Sequence, residues 1–331
     1  MGLPAPRQRD YPAGGHAQRT RLDRVKISFG APVSGAWATP ENLAAFAGRA
    51  EQAGYDGLWT FQRLLVPAGS AMEPVYQSVL DPMVALGFAA ACTSRIRLGV
   101  AVLNFPYVSP SVLAKQAATV DVLCGGRHDL GLGIGWMPEE FEAAGAPMAR
   151  RGARAEEYIA VLRALWADGV SRFSGEFYSV PASRVDPKPV QPGGPPVLLG
   201  GAAPAALRRA GRLADGWITS SRTNLSRVGE GIEVVRSAAR DVGRDPDAIR
   251  IICRGVVRAG AQAAAPGDGG RRLLSGSYDQ IRADTAWLAG RGVTEVFYDL
   301  NWDPQIGSPD ADPASAVQRA GEILDALAPG Q

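Results

Sequence analysis

The segment RHDLGLGIGWMPEEFE, residues 127–142, contains residue types that are typical of a binding site. An apolar strand with alternating glycines, Gly131, Gly133 and Gly135, is followed directly by a tryptophan and then by acids. Because glycine has no Cβ, a large flat molecule can lie against the carboxyl end of such a strand. The segment therefore predicts one wall of a cofactor site.

A second glycine-rich strand end, VLLGGAAPAALRRAG, offers a different chemistry. The helix begins at Pro204, and the residues before it, Ala202 and Ala203, have no side-chain oxygen to cap the first amides. Uncapped amides at a positive helix end favour an anion, and we expect a cofactor phosphate there, approached through Gly200 and Gly201. The alternative is that the glycines only make a tight turn and water binds the amides. Hydroxyls that would complete a phosphate shell end the next strand, at Thr219, Ser220 and Ser221.

Groups that usually transfer protons or bind metals are scarce near these strand ends. His16 lies in the N-terminal tail, and His128 begins its strand at the opposite end, where we expect a structural role. Cys92, Cys124 and Cys253 have no metal-ligand or redox-pair spacing, so we interpret them as small core residues in a reducing cytoplasm. We predict no metal site and assign no catalytic residue.

The composition favours a soluble enzyme over a nucleic-acid-binding or membrane protein. Basic and acidic residues number 35 and 33, so the charge balance lacks the positive excess of a nucleic-acid-binding protein. No segment reaches the ~18 consecutive apolar residues of a membrane-spanning helix. Residues 1–22 are rich in Pro, Gly, Arg and Gln without an apolar signal-peptide core, so we predict a disordered extension of a cytoplasmic protein.

From residue 25 onward, short apolar runs alternate with helical patterns. Such alternation requires a parallel sheet, and eight repeats favour a closed (β/α)8 barrel over the alternative, an open doubly wound sheet. In both folds ligands bind at the carboxyl ends of the strands. The predicted strands are 25–30, 56–61, 96–102, 128–133, 196–200, 216–220, 249–256 and 293–300. The predicted helices are 40–53, 81–93, 111–123, 153–166, 204–213, 225–242, 277–291 and 313–327.

Two long stretches, which together extend over most of the chain after the tail, carry a family resemblance. LGVAVLNFPYVSPSVLAKQAATVDVLCGGRHDLGLGIGWMPEEFEAAGAPMARRGARAEEYIAVLRALW and DPKPVQPGGPPVLLGGAAPAALRRAGRLADGWITSS resemble the luciferase-like flavin and deazaflavin monooxygenases and reductases. The resemblance implies one luciferase-like TIM-barrel domain over residues 23–331, an insertion after strand 4, a homodimer, and coenzyme F420 or FMN at the carboxyl end. The arginine-rich composition, with lysine only at Lys26, Lys115 and Lys188, suggests a GC-rich genome and favours F420.

The resemblance also assigns cofactor-binding roles. Ala101 and Val102 match the place where relatives have a bulge with a non-prolyl cis peptide behind the ring system. Asn104 would hydrogen-bond the ring edge, or alternatively cap its own backbone. The cofactor wall at Gly133 and Gly135 and the phosphate site before Pro204 agree with the same placement, although the commonest barrel phosphate site follows strands 7 and 8.

The second strand end departs from the family pattern. Many deazaflavin-dependent dehydrogenases of the family have Ser-Asp-His where this chain has Phe61, Gln62 and Arg63. A histidine base is therefore missing, and Gln62 and Arg63 are candidates for orienting a carbonyl or anionic substrate or the cofactor ring, with a surface salt bridge as the alternative for Arg63. Trp59 and Trp136 are further pocket candidates, with core packing of the insertion as the alternative for Trp136.

Other polar residues are interpreted as structural or remain open. The paired acids Glu139 and Glu140 are expected to be solvated. Residues 67–77 are a candidate cover for the pocket, and residues 260–276 are predicted to be a mobile loop. Residues 298–303 either contact the substrate or serve as helix-capping and packing residues.

These observations favour an F420-dependent oxidoreductase that transfers hydride between the deazaflavin and a small organic substrate. The alternatives are an FMN-dependent monooxygenase and a non-catalytic flavin-binding homologue. We expect a small-molecule substrate and no nucleic-acid or membrane partner.

Overall fold

The barrel is closed and entirely parallel in the computed structural model, which describes residues 25–260 and 271–330. Within that part of the chain, each of eight strands pairs with the strands before and after it, and the last pairs with the first. This closure confirms the (β/α)8 prediction and excludes the open sheet. The strands are β1 Lys26–Gly30, β2 Gly57–Thr60, β3 Arg97–Asn104, β4 His128–Gly133, β5 Val197–Gly200, β6 Gly216–Ile218, β7 Arg250–Val256 and β8 Glu295–Asp299.

A helix follows every strand, and most of these helices begin at a side-chain cap. Thr39, for example, accepts a hydrogen bond from the Asn42 amide, and Ser277 forms a reciprocal capping box with Gln280. Helices α4, α5 and α6 begin without such a hydrogen bond, and the N-cap of α5, Ala203, has no polar side-chain atom that could form one. The helices are α1 Pro40–Gln52, α2 Pro82–Cys92, α3 Pro110–Leu123, α4 Arg151–Trp166, α5 Pro204–Leu213, α6 Val228–Arg240, α7 Tyr278–Ala289 and α8 Pro313–Ala326.

The main apolar core lies between the strands and the surrounding helices, and a smaller one fills the barrel. At the amino ends of the strands the barrel is closed by charges. Asp129 accepts hydrogen bonds from Arg97 (2.8 Å) and Arg250 (2.7 Å), and Arg250 also binds Glu295 (3.0 Å). Burial alone would raise the pKa of Asp129, but the two guanidinium groups hold it well below its ordinary value. This ion-pair network closes the end of the barrel opposite the predicted site.

The expected insertion after β4 is present. It contains a short helix, Pro138–Ala143, which precedes α4, and an antiparallel hairpin of Ser171–Ser174 and Ser179–Ser183, which follows it. Arg258–Ala259 and Ser275–Gly276 form a second small pair of strands beside the barrel. The predicted disordered tail and most of the predicted loop at 260–276 lie outside the described residues.

Most predicted strand ends are within one residue of the observed ones, but the carboxyl ends of two strands differ from the prediction by two residues. β3 continues to Asn104 because its pairing with β4 shifts between Val100 and Leu103, so the strand passes through a bulge instead of ending at Val102. β6 ends at Ile218 and leaves the predicted hydroxyl residues in the following loop. No helix in the described ranges has both the length and the apolar character needed to cross a bilayer.

Candidate functional site

A cleft of about 280 Å³ opens at the carboxyl ends of the strands. It brings together residues of five separate segments, which include most of the site residues predicted from the sequence. These are Gln62, Arg63, Ala101, Val102, Asn104, Gly133, Gly135, Trp136, Gly200, Gly201, Thr219, Ser220 and Ser221. The other lining residues are Tyr76, which belongs to the predicted cover at 67–77, and four residues that the sequence analysis did not select as site residues: Phe61, Ile134, Ile218 and Arg254.

The floor of the cleft is the bulge of β3. The Ala101–Val102 peptide is cis, as the family resemblance implied. A Cβ at Gly133 would lie 2.6 Å from Val102 Cγ2, and a Cβ at Gly200 would lie 3.0 Å from Val102 Cγ1. Gly133 on the neighbouring β4 and Gly200 on β5, the next strand beyond it, therefore make room for the Val102 side chain.

The closeness of Val102 to these glycines changes the interpretation of the glycine-rich strand end as a wall for the cofactor. A Cβ at Gly131 would lie 2.0 Å from the Val100 carbonyl oxygen, so this glycine too accommodates the bulge. Gly135 has a φ of +68°, and its position faces the Tyr107 hydroxyl and the Phe141 ring. The interpretation that the glycines leave space directly for a flat ligand is wrong for Gly131 and Gly133, because the chain itself fills that space and Val102 forms the surface.

At the other end of the cleft, α5 begins with unpaired amides. The Ala203 carbonyl accepts hydrogen bonds from Ala206 (2.8 Å) and Leu207 (3.0 Å). The amides of Ala202, Ala203 and Ala205 bind no other described residue, and all three residues are exposed. Ala202 and Ala203 lie at the rim and do not line the cleft. An anion held there would sit at the open end of the cleft.

Of the three predicted hydroxyls, two are engaged within the protein. Thr219 Oγ1 is buried and accepts a hydrogen bond from the Arg254 amide (2.9 Å). Ser220 Oγ lies 3.1 Å from Thr223 Oγ1 in the exposed loop. The role of these residues in phosphate binding stays a prediction, since the structure shows only that they line the same cleft as Gly200 and Gly201.

Arg63 forms part of a buried ion pair. Its Nη1 lies 3.1 Å from Glu140 Oε1, and its side chain is 5 % exposed. Glu140 is fully buried and also accepts hydrogen bonds from the Leu64 amide (2.8 Å) and the Tyr107 hydroxyl (3.0 Å). The surface salt bridge considered for Arg63 is therefore wrong, and so is the expectation that Glu140 is solvated, whereas Glu139 is exposed as expected. Burial, and then the Glu140 charge, raise the pKa of Tyr107, which stays a hydrogen-bond donor to this carboxylate.

Aromatic rings position the Arg63 guanidinium over the cleft. Its Cζ lies 4.5 Å from the centre of the Tyr76 ring and 5.1 Å from that of Trp136. Trp136 is 52 % exposed and lines the cleft, so the core alternative for it is wrong. Tyr76, from the segment predicted to cover the pocket, contributes to the same wall.

Gln62 and Asn104 form the inner edge. Gln62 Oε1 accepts a hydrogen bond from the Asn104 amide (2.8 Å). The Asn104 side chain makes no capping hydrogen bond and no other hydrogen bond to a described residue, which contradicts the capping alternative. Its carboxamide is thus available to a ligand.

Arg254 is the main functional candidate that the sequence did not reveal. It is 8 % exposed; Nε donates to Asp299 Oδ2 (2.7 Å) and Nη1 donates to the Ala101 carbonyl (3.0 Å). The guanidinium lies 4.0 Å from the centre of the Trp302 ring. The signal available was an arginine inside the otherwise apolar β7, with an aspartate at the end of the neighbouring strand. Within residues 298–303, Asp299 and Trp302 therefore contact the site through Arg254.

Trp59 and the histidine are placed elsewhere. Trp59 does not line the cleft, so its selection as a pocket residue is corrected: it is buried inside the barrel, stacks on Phe297, and donates to Glu295 Oε1 (2.8 Å). His128 is fully buried at the amino end of β4, with Nδ1 3.0 Å from the Leu98 carbonyl, and burial lowers its pKa. No cluster of three or more potential metal ligands occurs in residues 25–260 or 271–330.

Comparison with known proteins identifies the family of this arrangement. The family model for luciferase-like monooxygenases matches residues 24–303. A phthiodiolone/phenolphthiodiolone dimycocerosates ketoreductase of Mycobacterium sp. (strain JLS) is 38 % identical over 181 residues, which is 53 % of this chain and 47 % of that protein. The matches cover between about half and 62 % of the length of the curated mycobacterial relatives.

Solved structures show the same fold at low sequence identity. Monooxygenase RslO1 from Streptomyces bottropensis has a TM-score of 0.74 at 21 % identity, over 92 % of this chain and 99 % of that one. The coenzyme F420-dependent tetrahydromethanopterin reductase from Methanopyrus kandleri has a TM-score of 0.71 at 18 % identity, over 92 % and 98 %. The two neighbours differ in chemistry, so the fold alone leaves the cofactor open.

Proposed function

This chain belongs to the luciferase-like monooxygenase family, and we propose that it is an F420-dependent oxidoreductase that transfers hydride between the deazaflavin and a small carbonyl or unsaturated substrate. The observation that carries the proposal is the continuous cleft between Asn104 and the start of α5. Its apolar floor suits a flat ring system, and its open end suits the phosphate of the same molecule.

The residues present fit such a cofactor. Ala101, Val102 and Ile218 form the apolar surface on which a ring can lie, and the unpaired Asn104 carboxamide faces its edge. The amides of Ala202, Ala203 and Ala205 would hold the phosphate. When bound, reduced F420 supplies the hydride, while the protein supplies binding, orientation and electrostatics.

The charges around the cleft suit a reaction that builds negative charge on oxygen. Arg63 lines the cleft beside Trp136, and Arg254 lies beneath the β3 bulge. A fixed guanidinium near a carbonyl oxygen stabilises the charge that develops as hydride arrives at carbon. Two similar proteins also support a reduction: one relative is named a ketoreductase, and one structural neighbour is an F420-dependent reductase.

The test is cofactor binding followed by turnover. Fluorescence titration should give tighter binding of F420 than of FMN. Anaerobic oxidation of reduced F420 should then proceed with a member of a panel of ketones, aldehydes and enones, and stop without it. Binding of FMN alone, with oxygen consumption on addition of reduced FMN, would instead identify a monooxygenase. Failure to bind either cofactor would indicate the non-catalytic homologue.

A further inference from the structure

A second cleft, of about 520 Å³, adjoins the cofactor cleft and shares Ser221 and Arg254 with it. We call it the arginine cleft because four further arginines line it: Arg222, Arg258, Arg271 and Arg272. They come from the loop after β6, the strand after β7, and the segment before α7. The proposed function does not use this cleft.

Among the described residues, the arginine cleft has more positive than negative charge. Arg271 is paired with Asp284, Arg254 with Asp299 (2.7 Å), and Arg222 with Glu73 (3.3 Å). Arg258 and Arg272 form no ion pair with any described carboxylate. Glu73 is the one acid among the lining residues. Two of the five guanidinium groups therefore lack a counter-charge in the described structure.

The backbone holds these two arginines in place. The Arg258 amide donates to the Leu274 carbonyl (3.0 Å), which pairs its short strand with Ser275–Gly276. The Leu274 amide donates to Asp284 Oδ2 (2.7 Å), the carboxylate that also binds Arg271. Arg272 Nη2 donates to the Ser221 carbonyl (3.0 Å), on the wall that both clefts share. Burial, and then the charge of Arg258, lower the pKa of Arg272, consistent with two neighbouring cations.

We propose that the arginine cleft is a second anion site, which binds a carboxylate or phosphate group of the ligand that occupies the neighbouring cleft. Guanidinium groups bind such anions through paired hydrogen bonds, and here no described carboxylate pairs with Arg258 or Arg272, so the anion has no ion pair of theirs to break. The anion is either a substituent of the substrate or the acidic distal end of the cofactor. The inference rests on the proposed function only in placing the rest of that ligand in the cofactor cleft.

The experiment compares two double variants with the same change of net charge. Arg258→Gln with Arg272→Gln removes the two unpaired cations. Arg172→Gln with Arg184→Gln is the control, because both residues are exposed and form no ion pair among the described residues. Calorimetric titration with pyrophosphate and with citrate should give a dissociation constant at least about tenfold higher for the first variant than for the wild type, as expected for lost charge-assisted hydrogen bonds. The control should match the wild type.

A second titration identifies the source of the anion. Binding of F420 is compared with binding of FO, its precursor without phosphate or acidic tail. Weaker binding of F420 but not of FO by the arginine-cleft variant assigns the site to the cofactor's acidic end. Unchanged F420 binding with loss of pyrophosphate and citrate binding assigns it to an anionic substrate.

The proposal is overturned if the arginine-cleft variant binds pyrophosphate, citrate and F420 as the wild type does, or if the control loses as much affinity. A protein that binds FMN in place of F420 would fail the proposed function, yet the pyrophosphate and citrate titrations would still decide the anion site.

Discussion

At the scale of single residues, the site depends on how closely β3 approaches its neighbours. Val102 lies between Gly133 and Gly200: a methyl group at Gly133 would clash with the Val102 side chain at 2.6 Å, and one at Gly200 would lie in tight contact with it at 3.0 Å. The glycines thus determine the shape of the surface on which we place the cofactor ring, although they do not form that surface.

Gly133→Ala tests this dependence. The added Cβ would lie 2.6 Å from Val102 Cγ2, so Val102 must move into the cleft. We expect at least a tenfold loss of cofactor affinity and a destabilisation of about 1–3 kcal/mol, typical of overpacking. Cofactor titration and urea unfolding measure both. Gly87→Ala is the control, because nothing lies within 4 Å of that position and it should change neither quantity for the worse.

Glu140→Gln tests the buried ion pair that positions Arg63. The carboxamide has one accepting oxygen for the Leu64 amide, the Tyr107 hydroxyl and the Arg63 guanidinium together. We expect a loss of about 1–3 kcal/mol in the free energy of unfolding, since buried groups lose partners. Catalytic efficiency should fall as well, because Arg63 is freed. The exposed neighbour provides the control: if Glu139→Gln destabilises equally, the ion pair is not the cause.

At the scale of elements, the start of α5 is the feature that matters. The other barrel helices that begin with a Thr, Ser or Asp cap close their own amides, whereas α5 leaves its amides exposed at the rim of the cleft. Because no side chain caps them, the first amides of α5 stay free to bind an anion, at the cost of the stability that a cap would add.

Ala203→Asp should separate these two properties. A carboxylate at the N-cap can bind the first amides and stabilise the protein by about 1 kcal/mol. The same charge should repel a phosphate, so F420 or FMN affinity should fall more than tenfold while FO or riboflavin affinity stays unchanged. Thermal unfolding and parallel titrations measure the two effects. Equal affinity of wild type and variant for the phosphorylated cofactors would place the phosphate elsewhere.

At the scale of the whole molecule, opposite ends of the barrel have opposite roles. The amino ends carry the ion pairs of Asp129 with Arg97 and Arg250, and the carboxyl ends carry the cleft. The charges at the amino ends neutralise one another in ion pairs, which stabilises the fold. At the carboxyl ends, some charged groups have no partner among the described residues and are available to bind a ligand.

Asp129→Asn should therefore reduce stability in a pH-dependent way. The folded-state pKa of Asp129 is lowered, so its contribution is present above the ordinary aspartate pKa of about 3.9 and is lost as the pH falls below it. Near neutral pH we expect a loss of about 3–5 kcal/mol, as for a broken buried ion pair. Urea unfolding at several pH values should show the difference between wild type and variant shrinking as the pH falls below 4. A constant difference would show that Asp129 acts without its charge.

The homodimer implied by the family remains a proposal, and one face of the barrel suits it. Val84 and Phe88 on α2 and Val112 and Leu123 on α3 are exposed apolar side chains. Val84→Glu with Leu123→Glu should convert a dimer to a monomer in light-scattering measurements. The comparably exposed Val170→Glu should leave the association state unchanged. A wild-type chain that is monomeric at all concentrations tested would refute the proposal.

The sequence by itself determined the order of strands and helices, the barrel, and the segments that meet at its carboxyl end. These features follow from local patterns: apolar periodicity, caps such as Thr39, and glycines at strand ends. The limits of the strands were predicted to within a few residues. The bulge of β3 explains why this strand ends at Asn104 and not at the predicted Val102.

Only the tertiary structure decided which side chains act together. Contacts between residues far apart in the chain pair Arg63 with Glu140 and Arg254 with Asp299. Such contacts also place Trp59 inside the barrel. A charged residue is solvated or buried according to what packs over it, and an isolated segment contains no information about that. The glycines illustrate the difference: their positions were visible in the sequence, but only the fold shows that they accommodate the side chain of Val102, which lies on β3.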